Sequence, residues 1–312
     1  MAMMKALRAY ERDAPETLVY EDAPVPTPVR GEVLVAVSAA GITFAELGWE
    51  QSWRTADGGD RVPMIPSHEV SGVVAATGAG VTDLAVGDEV YGLIDFNRNG
   101  AAAEFVTVDA GALAHRPRRI GHVETAALPL AALTAWQALH DHARIASGEH
   151  VLIHGGAGGV GAFAVQLAAL HGARVTATAR EADAVLLGEL GATRVIDYTK
   201  RPFEAEVSDV DVVIDTVGGD TLVRSVAVLR PEGRLVTLSA PPPAGLGEER
   251  KARLMFFVVT PSRSQSARLA QLVDDGALRV LVARTFPLSD GRQAYAGNDG
   301  HRPGKTVLTV GP

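Results

Sequence analysis

The sequence predicts an α/β protein of two parts, an irregular β-barrel and a doubly wound parallel sheet with helices on both faces. Three observations carry this. Short β-rich runs punctuated by glycine and proline fill the first third of the chain. From Val151 onward, strand-like and helix-like stretches alternate. At the head of that alternation stands His154-Gly155-Gly156-Ala157-Gly158-Gly159-Val160-Gly161, after the apolar run Val151-Leu152-Ile153 and before a helical stretch from Ala162 to His171.

The elements follow in order. Val33, Val35 and Val37 alternate with Leu34, Ala36 and Ser38, as a half-buried strand would. Val70 to Ala76 is a β-branched run that ends at Thr77-Gly78-Ala79-Gly80. Gly87-Asp88 turns into a strand at Glu89-Val90-Tyr91-Gly92, and Ala103 to Val108 gives another. Phe44 to Trp53 is the one helical candidate in this part. Glu124 to Asp141 reads as helix broken near Pro129, because proline lacks the N–H a helix interior needs. Val160, Ala164, Leu167 and Ala168 then share one helical face. Strands are expected at 175–179, 194–196, 210–215 and 234–238, with helices at 183–190 and 221–229. Pro241-Pro242-Pro243 excludes both helix and central strand. Phe256 to Val259 reads as strand, Gln265 to Val273 as helix, and 280–286 and 306–310 as strands that return to the first part. The expected domains are 1–122 with 260–312, and 123–259.

Composition narrows the function. The net charge of −8 argues against nucleic acid and anionic membranes, both of which reward basic surfaces. The chain shows no apolar run long enough to span a bilayer, and its start lacks the long apolar core of a signal peptide, so a cytoplasmic location is expected. It contains no cysteine, so neither a disulfide nor a cysteine-based zinc site is possible.

Gly156, Gly158 and Gly161 fit the G-x-G-x-x-G spacing. That spacing combines a tight turn, close backbone approach to a diphosphate, and close packing of helix on strand. The N–H groups of Gly159 and Val160 then stand at a helix N-terminus, where free donors and the positive dipole end favour an anion. A dinucleotide site is the reading. In such sites an acidic residue about 20 positions past the last glycine binds the ribose hydroxyls. Counting from Gly161 reaches Arg180, which suits a 2′-phosphate instead and favours NADPH over NADH. Thr178 offers a hydroxyl beside it, and Glu181 is the acid if the register slips by one.

The β-rich start, the nucleotide-binding middle and the C-terminal return, with particular motifs, resemble the medium-chain dehydrogenase/reductase superfamily. The motifs are Gly31-Glu32-Val33-Leu34-Val35, Gly41-Ile42-Thr43-Phe44-Ala45-Glu46, Ile65-Pro66-Ser67-His68-Glu69-Val70-Ser71-Gly72, Gly87-Asp88-Glu89-Val90, Ala132-Leu133-Thr134-Ala135 and Asp215-Thr216-Val217-Gly218-Gly219. The resemblance is strongest to the zinc-independent quinone oxidoreductases, and it implies a GroES-like catalytic domain beside a Rossmann nucleotide-binding domain. It places Thr134 near the nicotinamide and Tyr198 near the adenosine, with Lys200 as a second cation. It lines the cofactor groove with Thr216 and Val217, and brings Ser239 and Phe257, Val258 and Val259 toward the carboxamide. The last of these segments resembles the family's dimer-forming edge, so a homodimer is expected. His68 stands where the family's zinc-binding histidine would, but without cysteine partners no zinc is expected.

On the substrate side, Thr43 replaces a more usual asparagine and is a hydrogen-bond donor for a carbonyl oxygen. Glu46 reads as a proton relay or a surface salt bridge, and His68 as a proton donor or a buried remnant of a zinc site. Glu69 reads as an ion-pair partner. Phe44, Trp49, Trp53, Tyr91 and Phe96 are candidates for an apolar wall. The expected activity is metal-free hydride transfer from NADPH, in the cleft between domains, to a quinone or an α,β-unsaturated carbonyl. Alternatives are an enoyl reductase dedicated to one biosynthetic substrate, a zinc dehydrogenase with unusual ligands, and a non-catalytic NADPH-sensing or RNA-binding protein.

Overall fold

A computed structural model of the chain describes residues 2–297 and 302–311; positions 298–301 and 312, within the range expected for the first domain, lie outside the described residues. The chain divides into two compact units. One comprises Met1–Leu133, Thr260–Gly276 and Val280–Pro312, the other Thr134–Val259 with Ala277–Arg279.

The first unit contains β1 (Met3–Arg8), β2 (Val19–Pro24), β3 (Glu32–Ile42), β4 (Glu69–Thr77), β5 (Glu89–Leu93), β6 (Phe105–Asp109) and β7 (Leu113–His115). Then come α1 (His122–Ala126) and α2 (Pro129–Trp136), the latter running into the second unit. The second unit contains β8 (His150–His154), α3 (Gly159–Leu170), β9 (Arg174–Ala179), α4 (Ala184–Glu189), β10 (Arg194–Asp197), β11 (Val210–Asp215), α5 (Asp220–Ser225), β12 (Leu229–Thr237) and β13 (Arg253–Phe256). The chain then returns to the first unit with α6 (Arg263–Asp274), β14 (Val282–Pro287), α7 (Gly291–Ala296) and β15 (Lys305–Thr309).

In the first unit the sheet order is β14-β15-β3-β4-β5-β7, with β6 paired to β3. Its central strand β3 alternates as the sequence predicts, and Val33, Val35 and Val37 are buried. The antiparallel pair β1–β2 escaped the sequence reading, because Met3 to Arg8 has little β-branched character. The helix expected at Phe44–Trp53 is instead two 3₁₀ turns, Phe44–Gly48 and Glu50–Trp53, separated by extended backbone at Trp49.

The division between units falls at Leu133/Thr134 rather than at 122/123. Small side chains explain the difference. Ala126 and Ala127 pack on Ala39 and Val307 of the barrel sheet, and a Cβ at Gly41 would stand 2.4 Å from the Ala126 carbonyl oxygen. α1 therefore lies directly on β3, and its residues count with the barrel. Pro129 opens α2, where a missing N–H costs nothing, and the helix is broken there as the sequence reading expected.

In the second unit all six strands run parallel in the order β10-β9-β8-β11-β12-β13. β8 and β11 are its centre, and Val151, Leu152, Ile153, Val212, Val213 and Ile214 are buried, as strands covered on both faces must be. Successive strands are added outward on one side from β8 to β10 and on the other from β11 to β13, so the strand order reverses at the pair β8–β11. That reversal creates the switch point at which such sheets bind ligands, beyond the carboxyl ends of the strands. The strand expected at 256–259 lies earlier, at Arg253–Phe256, and occupies the sheet's edge.

Candidate active site

The Gly loop leaves β8 at the switch point. Its tight turn is made by Gly155, whose φ of +68 suits glycine, and not by Gly156 as the motif count implied. Gly156 instead accommodates Ala177, whose Cβ would lie 2.8 Å from an added methyl. Gly161 brings α3 against the loop, because a Cβ there would stand 2.0 Å from the Gly155 carbonyl oxygen. Gly158 is exposed, and the nearest atom to its would-be Cβ is the same oxygen at 3.2 Å. It caps α3 with no side chain of its own, so the first N–H groups of that helix face outward uncapped. A diphosphate fits this cradle.

Buried polar groups hold the loop from below. Thr178 accepts the Gly155 N–H at 3.2 Å, and its Oγ1 lies 3.1 Å from Nδ1 of His154. Nε2 of His154 lies 2.9 Å from Ser225 Oγ, and the ring stands edge-on to Phe203. Thr178 is buried and its hydroxyl is committed here, so it does not reach a ligand beside Arg180 as the sequence suggested. His154 was missed in the sequence because a histidine ending a strand carries no distinguishing pattern. Burial lowers its pKa to about 4 from 6.5. The native state therefore excludes a proton that the unfolded chain binds below pH 6.5. Stability should be fully present above that pH and fall as pH drops toward 4, by up to about 3 kcal/mol from this residue. Urea midpoints at pH 7.5 and 5 for wild type and His154→Gln test this. Equal pH sensitivity of the two proteins would exclude His154 as the cause.

The turn after β11 is built by Asp215. One carboxylate oxygen accepts the N–H groups of Val217 and Gly218, each at 3.0 Å, and the other accepts the Thr237 hydroxyl at 2.9 Å. Thr216 donates to the His154 carbonyl at 2.8 Å, tying the two loops at the switch point together. Val217 is exposed, and Ser239, also exposed, sits against Gly218, where a Cβ would lie 2.0 Å from the serine oxygen. Arg180 is exposed at the end of β9, with Tyr198 its electrostatic neighbour from the end of β10. Lys200, read as a second cation, pairs with Glu181 at the exposed surface, so the two charges engage each other. Thr134 is buried in α2. Phe257 stacks on His142 at 4.2 Å, Val258 is exposed and Val259 is buried.

The first unit holds a second polar constellation. Glu46 is buried and accepts hydrogen bonds from the Ser67 N–H at 3.0 Å, the Thr43 N–H at 3.3 Å and the Tyr295 hydroxyl at 2.5 Å. His68 Nδ1 lies 3.0 Å from the same carboxylate. Glu46 is therefore neither a surface salt bridge nor solvent-facing; it fixes the imidazole. His68 is 1% exposed, and its Nε2 has no hydrogen-bond partner among the described residues. Burial, and then the Glu46 carboxylate, push the Tyr295 phenol well above its usual range. Beside this group Lys305 Nζ lies 2.5 Å from Glu69 Oε1 and donates to Thr43 Oγ1 at 2.8 Å. Glu69 also accepts the Leu130 N–H at 3.0 Å; burial raises its pKa, with the Lys305 ammonium opposing. Glu69 is thus the ion-pair partner the sequence suggested, but neither Lys305 as its partner nor Tyr295 as the partner of Glu46, each more than 200 residues away in sequence, was legible.

Of the five aromatic candidates, the fold brings together Trp49 and Phe96, edge-on at 5.1 Å, with His68 edge-on to Phe96 at 5.2 Å. Phe44 is exposed and lies against Gly297. Trp53 and Tyr91 are core residues, not a cleft wall. Trp53 is buried with its indole N–H on the Leu47 carbonyl at 2.7 Å, and Tyr91 is fully buried with its hydroxyl on the Ser266 carbonyl.

Two family descriptions match the chain: an alcohol dehydrogenase GroES-like domain over residues 29–118, and a zinc-binding dehydrogenase domain over residues 190–308. The mouse (Mus musculus) mitochondrial NAD(P)H oxidoreductase RTN4IP1 is 32% identical over 81% of this chain and 72% of its own. The 2-methylene-furan-3-one reductase of Solanum lycopersicum is 34% identical over 79% of this chain and 64% of its own. The solved quinone oxidoreductase of Coxiella burnetii superposes with a TM-score of 0.90 at 29% identity, over 99% of this chain and 100% of that one. The chain belongs to the medium-chain dehydrogenase/reductase superfamily, a family of oxidoreductases, and is quinone-oxidoreductase-like. Among the described residues, no helix is long and apolar enough to cross a membrane.

Proposed function

We propose that this protein is an NADPH-dependent, metal-free reductase of quinones or α,β-unsaturated carbonyl compounds. The observation that carries the cofactor choice is Arg180, exposed at the end of β9, while the nearby acid Glu181 is neutralised by Lys200. An exposed guanidinium, with the Tyr198 hydroxyl and the Asp183 charge beside it, suits a 2′-phosphate, and a carboxylate already paired with an ammonium is poorly placed to take the two ribose hydroxyls of NADH. The N–H groups of Gly159 and Val160 would hold the diphosphate, with Gly158 giving it room. Tyr198 would flank the adenosine, and Val217, Ser239 and Val258 would line the path toward the nicotinamide. When bound, that ring supplies a hydride.

The acceptor class rests on the relatives, one named for quinones and one for a methylene-furanone, and on the donor set in the first unit. A conjugated acceptor spreads the incoming charge, so one hydrogen-bond donor at its oxygen suffices. Thr43, half-buried, is the donor we assign; His68 and Glu46 are buried and orient its surroundings. Zinc does not fit these residues. The ammonium of Lys305 holds Glu69 and Thr43 from 2.5 and 2.8 Å, where it would repel a dication, and His68 Nε2 is the ligand nitrogen left over.

Titration of the protein with NADPH and NADH, followed by an acceptor panel, tests the reading. NADPH should bind at least about tenfold tighter, and Arg180→Ala should remove most of that margin. Equal affinities, or no NADPH oxidation with any quinone or enone, would sink it. We also propose a homodimer through the edge strand β13, where Phe256 is exposed at the strand's end. Sedimentation at micromolar concentration should give twice the chain mass; a monomer mass would remove the proposal.

A further inference from the structure

We propose that Lys305 is a positioning residue that turns the Thr43 hydroxyl into a directed donor for the oxygen of the acceptor. The inference rests on the quinone and enone reading above and deepens it. A hydroxyl has one hydrogen to give and two lone pairs to accept with, whereas an ammonium only gives. Lys305 Nζ, 2.8 Å from Thr43 Oγ1, must therefore be the donor of that pair. The threonine hydrogen is left to point elsewhere. Its one partner among the described residues is Glu69 Oε1, at 3.4 Å, and Lys305 already holds that oxygen at 2.5 Å. The hydrogen is thus weakly held and free to move to a better acceptor.

Burial sets the direction. Lys305 and Glu69 are both buried, their side chains 8% and 1% exposed, while Thr43 is half-buried. The order Leu130 N–H, Glu69, Lys305, Thr43 is a chain of charge-assisted hydrogen bonds whose outer end is a hydroxyl. A cation donating to an oxygen in a weakly polar setting polarises that oxygen's own O–H bond and makes it a stronger donor. Backbone bonds hold the base of the threonine: its N–H donates to Glu46 Oε1 at 3.3 Å, and its carbonyl accepts from the Glu46 N–H at 2.9 Å. As a hydride adds to carbon of a quinone or enone, negative charge gathers on the acceptor oxygen. A strengthened donor that turns to that oxygen stabilises its charge more than it stabilises the neutral ground state, so its contribution falls on kcat rather than KM. The hydrogen bond stays a hydrogen bond, and solvent supplies the proton that completes the reduction. Threonine, ordinarily a weaker donor than the amide it replaces, is strengthened here by the adjacent ammonium.

The test uses the full chain with NADPH and two acceptors, 1,4-naphthoquinone and 1-octen-3-one. Lys305→Met should lower kcat on the order of 10- to 100-fold, with KM and NADPH affinity within about twofold of wild type. Thr43→Val should fall by a similar factor, and Thr43→Ser, which keeps the hydroxyl, should recover most of the rate. Combining Lys305→Met with Thr43→Val should lose little beyond Thr43→Val alone, because both act through one hydrogen bond. Lys305→Met strands a buried carboxylate, so the pair Lys305→Met/Glu69→Gln is the deciding variant if the single one does not fold. It restores charge balance without restoring the ammonium, and its kcat should stay low. Recovery of wild-type kcat in that double variant, or multiplicative losses for Lys305 and Thr43, would overturn the proposal while leaving the reductase reading intact. A wild-type protein that reduces neither acceptor removes both together.

Discussion

Gly161→Ala is expected to abolish measurable NADPH binding, a loss of at least about 100-fold or roughly 2.7 kcal/mol. The added methyl would stand 2.0 Å from the Gly155 carbonyl oxygen and 2.9 Å from Gly156 Cα, and both obstacles are backbone. No rotamer change relieves such a contact. α3 must move away from the loop, carrying the N–H groups that face the diphosphate, and overpacking of this kind also costs about 1–3 kcal/mol of stability. Gly158→Ala makes the informative contrast. Its Cβ meets nothing closer than 3.2 Å and its φ of −73 suits alanine. It should unfold at nearly the wild-type denaturant midpoint and yet bind NADPH more weakly, because the methyl occupies space given to phosphate. Fluorescence titration and urea unfolding of both variants check the pair; a Gly161→Ala protein that binds NADPH normally would refute the packing role assigned to that glycine.

Glu46→Ala should be the most destabilising single substitution in the barrel unit, by about 3–5 kcal/mol. The carboxylate is 1% exposed and serves the Ser67 and Thr43 N–H groups, the Tyr295 hydroxyl and His68. Removing it leaves several buried donors without an acceptor, each worth roughly 1–3 kcal/mol, and opens a cavity where water has little access. Tyr295→Phe removes one of those bonds and no acceptor, so it should cost only about 1 kcal/mol. Urea denaturation at pH 7.5 measures both. A Glu46→Ala protein within 1 kcal/mol of wild type would mean that the carboxylate does not organise this cluster.

How far the sequence could be read varies by element for physical reasons. The central parallel strands were legible because burial on both faces demands continuous apolar runs, and Val151-Leu152-Ile153 and Val212-Val213-Ile214 are such runs, whereas the partly exposed edge strand β13 was placed three residues late. The loop glycines were legible because diphosphate binding and close helix packing exclude side chains at fixed spacing. Which glycine does which task was not, and the turn fell to Gly155 rather than Gly156. Trp53 and Tyr91 were misread as a ligand wall because aromatic residues in a loop and on a short strand look alike whether they face a cavity or the core. Only tertiary burial distinguishes them. Thr178 was misread because its hydroxyl is already taken, by the Gly155 N–H and the His154 ring beneath the loop, and nothing in the sequence two residues before Arg180 reveals those partners.

By itself the sequence determined the fold class, the family, the position of the dinucleotide loop and the arginine that stands where an acid would be. These depend on local pattern and spacing, which the chain carries within a few tens of residues. The tertiary structure alone decided the rest. It paired Glu181 with Lys200 and so left Arg180 as the exposed charge. It joined Glu46 to Tyr295 and Glu69 to Lys305 across more than 200 residues, and set an ammonium against Thr43. Hydrogen bonds between segments so distant leave no periodicity in a single sequence, because the strands that bring them together can meet in many registers and only the packed barrel selects one.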